Sequence, residues 1–252
     1  RGTPRRAAEP VECARAGANA VKFQTYNVKE IAADGIKIPL GVDAKHDEWI
    51  GSLHGRQTLQ DLLSGGGLPR EYHKELKKIA DDNGIDFMST PFSVDACRFL
   101  VEEVGVPAIK IASGDLTFTP LLEYAAATDL PIIASSGGAY LTEIYQAVYG
   151  PLGRAYFYRR LAMLHCVSEY PCDTASCNLL AIKTIKKQFV GNLTVGWSDH
   201  TINSDWVPVM AVAMGAEIIE KHVKLWTNYS ADSRHSVTVS DLSKMIKNVK
   251  DS

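Results

Sequence analysis

Val195-Gly196-Trp197-Ser198-Asp199-His200-Thr201 starts apolar and ends in four polar side chains, and Ile218-Ile219-Glu220-Lys221-His222-Val223 has the same character a short way on. This is how a parallel strand reads when both faces are covered along its length and only its tip emerges at a rim. Histidines at the ends of successive strands would lie side by side in a parallel barrel, close enough to hold one ion.

The alternation runs upstream as well. Short apolar segments over 20–25, 86–91, 108–113, 131–136 and 161–166 read as strands. Between and after them, amphipathic segments over 70–82, 94–104, 120–128, 141–149, 179–189, 206–214 and 240–250 read as helices. The helix over 70–82 opens after Leu68-Pro69 and closes at Asn83-Gly84, where proline and glycine favour a start and a stop. Strands alternating with helices indicate βαβ units and a parallel sheet. Nearly every strand ends in polar residues, and no GxGxxG turn follows the first strand, so a closed (β/α)8 barrel with its site along the C-terminal rim fits better than an open dinucleotide-binding sheet. Seven strands are legible. The eighth should precede the helix that ends near Gly17, so the expectation is a single TIM-barrel domain over 1–252 lacking its first strand. Residues 27–66 are the least regular part, closed by Gly65-Gly66-Gly67.

Composition narrows the function classes. With 46% hydrophobic and 22% charged residues the chain can bury a substantial core, and a net charge of −2 gives no reason to expect nucleic acid. No apolar stretch reaches membrane-spanning length, and Arg1 to Arg6 precede no apolar core of a signal peptide. Five cysteines (Cys13, Cys97, Cys166, Cys172 and Cys177) form no CxxC pair, which reads as reduced thiols in the cytoplasm.

The candidate chemistry gathers at strand ends. His200 and His222 form the expected metal pair, two imidazoles leaving open positions for substrate and water on a divalent ion. Lys22 and Lys110 interrupt apolar strands and need an anionic partner. Ser89, Thr90, Ser113, Ser135, Ser136 and Ser198 are small hydroxyls that, with two lysines, suit a phosphate or carboxylate. Gly114 and Gly137 would let backbone N–H groups approach such an anion. Asp115, Glu220 and Asp232 are acid/base candidates, whereas Asp199 is expected to orient a histidine or lysine. Tyr170 would border the pocket. His165 reads as core, and His46, His54, His73 and His235 as solvated. Cys166 has no dedicated base and reads as inert.

These segments resemble the N-acetylneuraminate (sialic acid) synthase family. The resemblance rests on Ala16-Gly17-Ala18-Asn19-Ala20-Val21-Lys22-Phe23-Gln24-Thr25, Ser89-Thr90-Pro91-Phe92, Lys110-Ile111-Ala112-Ser113-Gly114-Asp115, Leu164-His165-Cys166 with Tyr170-Pro171, Gly196-Trp197-Ser198-Asp199-His200 and Glu220-Lys221-His222. It implies a barrel enzyme that condenses phosphoenolpyruvate with an N-acyl amino-sugar such as N-acetylmannosamine, giving a nine-carbon 2-keto acid and phosphate. It places a divalent metal, Mn²⁺ or Mg²⁺, on His200 and His222, and phosphoenolpyruvate on Lys22, Thr90, Lys110, Ser113, Ser135, Ser168 and Ser198. It places the sugar on Gln24, Phe92, Tyr170, Glu220 and Asp232, and the proton and water steps on Asp115.

The same barrel makes legionaminic- and pseudaminic-type acids in related members. Family members are dimers, which leaves a homodimer open. The family's opening strand has no match in residues 1–10, its C-terminal antifreeze-like domain is absent, Ser168 stands where some members have Asn, and Trp226-Thr227-Asn228-Tyr229 replaces a more usual Leu-Asp-rich stretch. These departures give the alternative of a truncated paralogue that binds ligand or partner without turnover. An aldolase using a sugar phosphate would need an arginine-rich second phosphate site, and arginine is scarce at these strand ends.

Overall fold

The computed structural model describes residues 6–32, 34–36, 58, 60, 63, 66–189, 193–202, 205–225 and 231–252. His46, His54, most of 27–66 and the stretch 226–229 lie outside them.

Helix α1 (Ala8–Arg15) leads into β1 (Ala20–Thr25). Helix α2 (His73–Asp82) buries His73, Leu76 and Ala80, one stripe at helical spacing, and stops at Gly84, whose φ of +68° suits glycine. Then follow β2 (Asp86–Pro91), α3 (Val94–Arg98, continued as a π-helical stretch Phe99–Val104), β3 (Ile109–Ile111), α4 (Thr119–Ala127), β4 (Ile132–Ser135) and α5 (Leu141–Tyr149). The second half holds β5 (Leu161–Cys166), α6 (Leu180–Gln188), β6 (Thr194–Asp199), α7 (Trp206–Ala213) and β7 (Ile219–Lys221). Two short strands, β8 (Val223–Lys224) and β9 (Val237–Thr238), precede α8 (Val239–Lys250). No helix among the described residues is long and apolar enough to cross a membrane.

All strand pairs among the described residues are parallel. Strands β3 to β7 form one sheet in chain order and β1 pairs with β2, while β2 packs alongside β3. The described residues thus make a half-barrel, and no strand pairing among them joins β2 to β3 or β7 to β1. Two apolar clusters fill it: one between β3–β6 and helices α4–α7, the other between β1, β2, α1, α2 and α8.

Two elements differ from the sequence reading in a way that matters for the site. The strand expected over 108–113 ends at Ile111, because Ser113–Asp115 turns into a 3₁₀ helix. The last apolar stretch is not one strand. It leaves the sheet after Lys221, and Val223 pairs instead with Val237. That pairing folds the turn Ala231–Arg234 and the residues after it back over the tip of β7.

Candidate functional site

Strand register decides which polar groups meet. In β1, Val21, Phe23 and Thr25 are buried and alternate with Lys22 and Gln24, which point to the other face. Pairing of β1 with β2 sets Gln24 opposite Thr90, and pairing of β6 with β7 sets Ser198 opposite Glu220. Lys110 lies between Ile109 and Ile111 in a strand whose three residues are all buried.

These strands bring two ammonium groups to one carboxylate. Glu220 Oε2 is 4.0 Å from Lys22 Nζ and 3.8 Å from Lys110 Nζ. Hydroxyls fill the spaces between. Lys22 donates to Thr90 Oγ1 at 3.3 Å, Lys110 to Ser135 Oγ at 2.7 Å, and Ser198 Oγ to Glu220 Oε1 at 2.9 Å. Burial opposes ionisation of Glu220, yet Lys110, Lys22, His222 and the Ser198 hydrogen bond together bring its carboxyl down to about 2. Burial lowers the Lys110 ammonium from the usual lysine value, with Glu220 pulling it back. Asp115 sits in the field of Lys110, but its own burial dominates and raises its carboxyl to about 6. Asp115 Oδ2 is buried with no hydrogen-bond partner among the described residues.

Beside this group lies a seat built around Gly137. Its N–H donates to Ser113 Oγ at 2.9 Å. A Cβ at residue 137 would stand 2.6 Å from Ser168 Oγ and 2.9 Å from both Ser113 Oγ and Cys166 Sγ, so two hydroxyls and a thiol converge where only glycine fits. Gly114 shows no such crowding. Burial pushes the Cys166 thiol up, which agrees with an inert cysteine.

The third part is a cluster of rings. His200 and His222 have centroids 5.3 Å apart, and Tyr170 lies against His200 at 4.2 Å. His200 Nδ1 stands 2.9 Å from the Val167 carbonyl, which can only accept, so the proton is on Nδ1 and Nε2 is left with a free lone pair. Asp232 Oδ2 is 4.0 Å from His222 Nδ1 and Asp232 Oδ1 is 3.6 Å from His235 Nε2. Burial lowers His200 and His222, and brings His235 to about 4, so the rings are neutral at pH 7, the form that ligates metals. The donor atoms of His222, Asp232 and His235 all lie within 4.8 Å of one another, and a divalent cation suits that set.

Beneath the rings, Asp199 holds a lysine. Its Oδ2 accepts from Lys221 Nζ at 2.8 Å, and its Oδ1 from the backbone N–H and hydroxyl of Thr201 at 3.0 and 2.8 Å. Lys221 also donates to the Thr201 carbonyl. Register sets Asp199 and Lys221 opposite each other, so this buried pair ties together the two strand tips that precede His200 and His222.

The structure therefore gathers Lys22, Thr90, Lys110, Ser135, Ser198 and Glu220 in one place, Ser113 and Ser168 beside them, and His200, His222, Tyr170 and Asp232 at the edge. Gln24 shares the face of Lys22 through register. Phe92 packs edge-on against Tyr26 at 5.4 Å.

Four expectations are corrected. Ser89 points to the opposite face from Thr90, and its hydroxyl meets Thr25 at 2.7 Å. Ser136 Oγ is spent on the Leu164 carbonyl at 3.1 Å. His73 is buried, not solvated: it lies on the stripe of α2 that faces the sheet, with ring nitrogens on Thr25 Oγ1 at 2.6 Å and the Pro69 carbonyl at 3.1 Å. His235 is also buried, because the β8–β9 pairing folds its loop inward, and its ring stands 4.4 Å from His222. Only a two-residue strand, Val237–Thr238, announces that fold, too short to stand out in sequence. His165 is core, as expected, with Nε2 at 3.0 Å from the Cys177 carbonyl.

Fold and site together define an α/β protein in which parallel strand tips carry a lysine- and hydroxyl-rich group beside an imidazole cluster. The chain belongs to the NeuB family, whose model matches residues 11–252. An uncharacterized protein of Methanocaldococcus jannaschii is 37% identical over 95% of this chain and 63% of its own length. An N,N'-diacetyllegionaminic acid synthase of Legionella pneumophila is 33% identical over 93% of this chain and 64% of its own. The chain thus spans just under two thirds of the length of these two curated relatives. The crystal structure of an N-acetylneuraminic acid (sialic acid) synthetase from Leptospira borgpetersenii, in complex with citrate, superposes with a TM-score of 0.82 at 32% identity, covering 98% of this chain and 77% of that one.

Proposed function

We propose that the protein is a sialic-acid-type synthase, condensing phosphoenolpyruvate with an N-acyl amino-sugar such as N-acetylmannosamine to a nine-carbon 2-keto acid and phosphate. The observation that carries this reading is the meeting of Lys22 and Lys110 at Glu220, ringed by Thr90, Ser135 and Ser198. Two ammonium groups against one carboxylate leave a surplus of positive charge among hydroxyl donors, which suits a small polyanion. The Gly137 seat, with Ser113 and Ser168, adds donors at the same rim. Relatives named as legionaminic acid and sialic acid synthases support the same chemistry.

In this reading Lys22, Lys110 and the hydroxyls hold the phosphate and carboxylate of phosphoenolpyruvate. Glu220 stays anionic, since its carboxyl lies at about 2, and keeps the two lysines aimed at the substrate. Gln24, Phe92, Tyr170 and Asp232 border the sugar. His200 and His222 hold the divalent metal, Mn²⁺ or Mg²⁺, which when bound polarises the sugar aldehyde as a Lewis acid. Carbon 3 of phosphoenolpyruvate bonds to the aldehyde carbon as the aldehyde oxygen takes up a proton and becomes a hydroxyl. A water oxygen adds at carbon 2, and the C–O bond to phosphate breaks as that oxygen loses its second proton and becomes the ketone, phosphate leaving with the bonding pair. Asp115, with a carboxyl at about 6 and an unpartnered oxygen, takes the proton of that water.

The test is phosphate release by the full-length protein given phosphoenolpyruvate, Mn²⁺ and a panel of N-acyl amino-sugars that includes N-acetylmannosamine. Release with at least one sugar is expected. Silence across the panel, from folded protein loaded with metal, would overturn the reading.

A further inference from the structure

The proposed metal pair leaves one nearby ring unexplained. The side chain of His235 is 3% exposed, and neither its Nδ1 nor its Nε2 has a hydrogen-bond partner among the described residues. Buried imidazoles ordinarily satisfy both nitrogens, as His73 does in this same chain, so an orphaned ring calls for a missing partner. The ring lies edge-to-face on His222, with centroids 4.4 Å apart, and 5.7 Å from His200. Asp232 faces both His235 and His222, at 3.6 and 4.0 Å, too far for hydrogen bonds. Two donors held about 2.1 Å from one ion stand about 3 Å apart when adjacent and about 4 Å apart when opposite. The two Asp232 separations fall in that range, and the donor atoms of His222, Asp232 and His235 all lie within 4.8 Å of one another, with the His200 ring beside that set.

We propose that His235 is a third imidazole ligand of the divalent cation at His200 and His222, with the Asp232 carboxylate facing the same ion. This rests on the metal site in the proposed function and sharpens it. Three nitrogen donors favour a borderline ion such as Co²⁺ or Zn²⁺ over Mg²⁺, which prefers oxygen and water.

Pulsed electron paramagnetic resonance on the Mn²⁺-loaded full-length protein counts coupled imidazole nitrogens directly. Three are expected, and two would overturn the proposal without recourse to any variant. Calorimetric titration with Co²⁺ then compares wild type with His235→Ala and His235→Gln, metal-free folding being checked by circular dichroism. Loss of a direct ligand should weaken Co²⁺ binding at least as much as the about 10- to 100-fold typical of losing an outer hydrogen-bond partner. It should narrow the Co²⁺ to Mg²⁺ preference with it. If His200→Ala and His222→Ala lose Co²⁺ while both His235 variants keep it, His235 is no ligand and the two-histidine site stands. If none of the four variants alters Co²⁺ affinity, the metal site falls and this inference with it.

Discussion

Replacing Glu220 by glutamine removes the carboxylate that faces both Lys22 and Lys110 while keeping the shape that accepts from Ser198. The magnitude follows from the carboxyl's position. Its ordinary value of 4.5 falls to about 2, which corresponds to about 3 kcal/mol of folding stability. The side chain is 19% exposed, so solvent screens little of this. Because the folded value is depressed, the stabilisation is complete above 4.5 and is lost as pH falls through 2. Wild type should therefore shed about 3 kcal/mol from this group between pH 5 and pH 2, and Glu220→Gln should shed none there. At pH 7 the variant should be weaker by a similar amount, since two ammonium groups are left facing each other. Inorganic phosphate should restore more of the loss in the variant than in wild type, because the anion takes the vacated place. Urea unfolding followed by the fluorescence of buried Trp197, at pH 7, 5, 3 and 2, measures all of this. Identical pH dependence in the two proteins would refute the assignment of Glu220 as the shared counter-charge.

Asp115→Asn works in the opposite direction. The folded carboxyl lies at about 6, above its ordinary 3.8, so ionisation is penalised in the folded state, fully above 6 and not at all below 3.8. The variant should be up to about 3 kcal/mol more stable than wild type at pH 7, and no more stable at pH 3, by urea midpoints. It should nonetheless lose phosphate release. Gly137→Ala drives a methyl group into Ser168, Ser113 and Cys166, and should raise the KM for phosphoenolpyruvate without changing the KM for the sugar. Lys221→Met strands the fully buried Asp199, and should cost about 3–5 kcal/mol in thermal or urea unfolding. All five cysteines are buried and their thiols are pushed up by burial, so native protein should resist iodoacetamide at pH 8 and label only when unfolded.

The sheet was legible because a parallel strand covered on both faces must be apolar to its tip, and the segments 20–25, 86–91 and 161–166 coincide with β1, β2 and β5. The pocket was legible for the same reason. Lys22 and Lys110 stand out only because their neighbours are apolar, and register then carries them to Glu220. What sequence hid depends on direction and on distant return. Ser89 and Thr90 are adjacent in the chain yet face opposite sides, a difference no local composition records. His73 reads as a surface residue among Tyr72 and Lys74 until the stripe His73, Leu76 and Ala80 is seen against the sheet. His235 reaches the site through a single short pairing, Val223 with Val237, and loops that fold back by tertiary contact leave no periodic signal. Closure of the half-barrel depends in the same way on pairings that the described residues do not contain.

The Asp199–Lys221 pair has a consequence for how the proposed site would acquire an ion. It fixes the spacing of the β6 and β7 tips through protein groups alone, inside the core. In the proposed reading, the seat for a cation therefore stands before any cation arrives. Uptake of the proposed metal is then expected to be a docking event, with no folding step to wait for. Stripping the ion with a chelator should leave the backbone amides of β6 and β7 as protected from hydrogen exchange as before, so that one molecule can be emptied and refilled repeatedly without passing through an unfolded state.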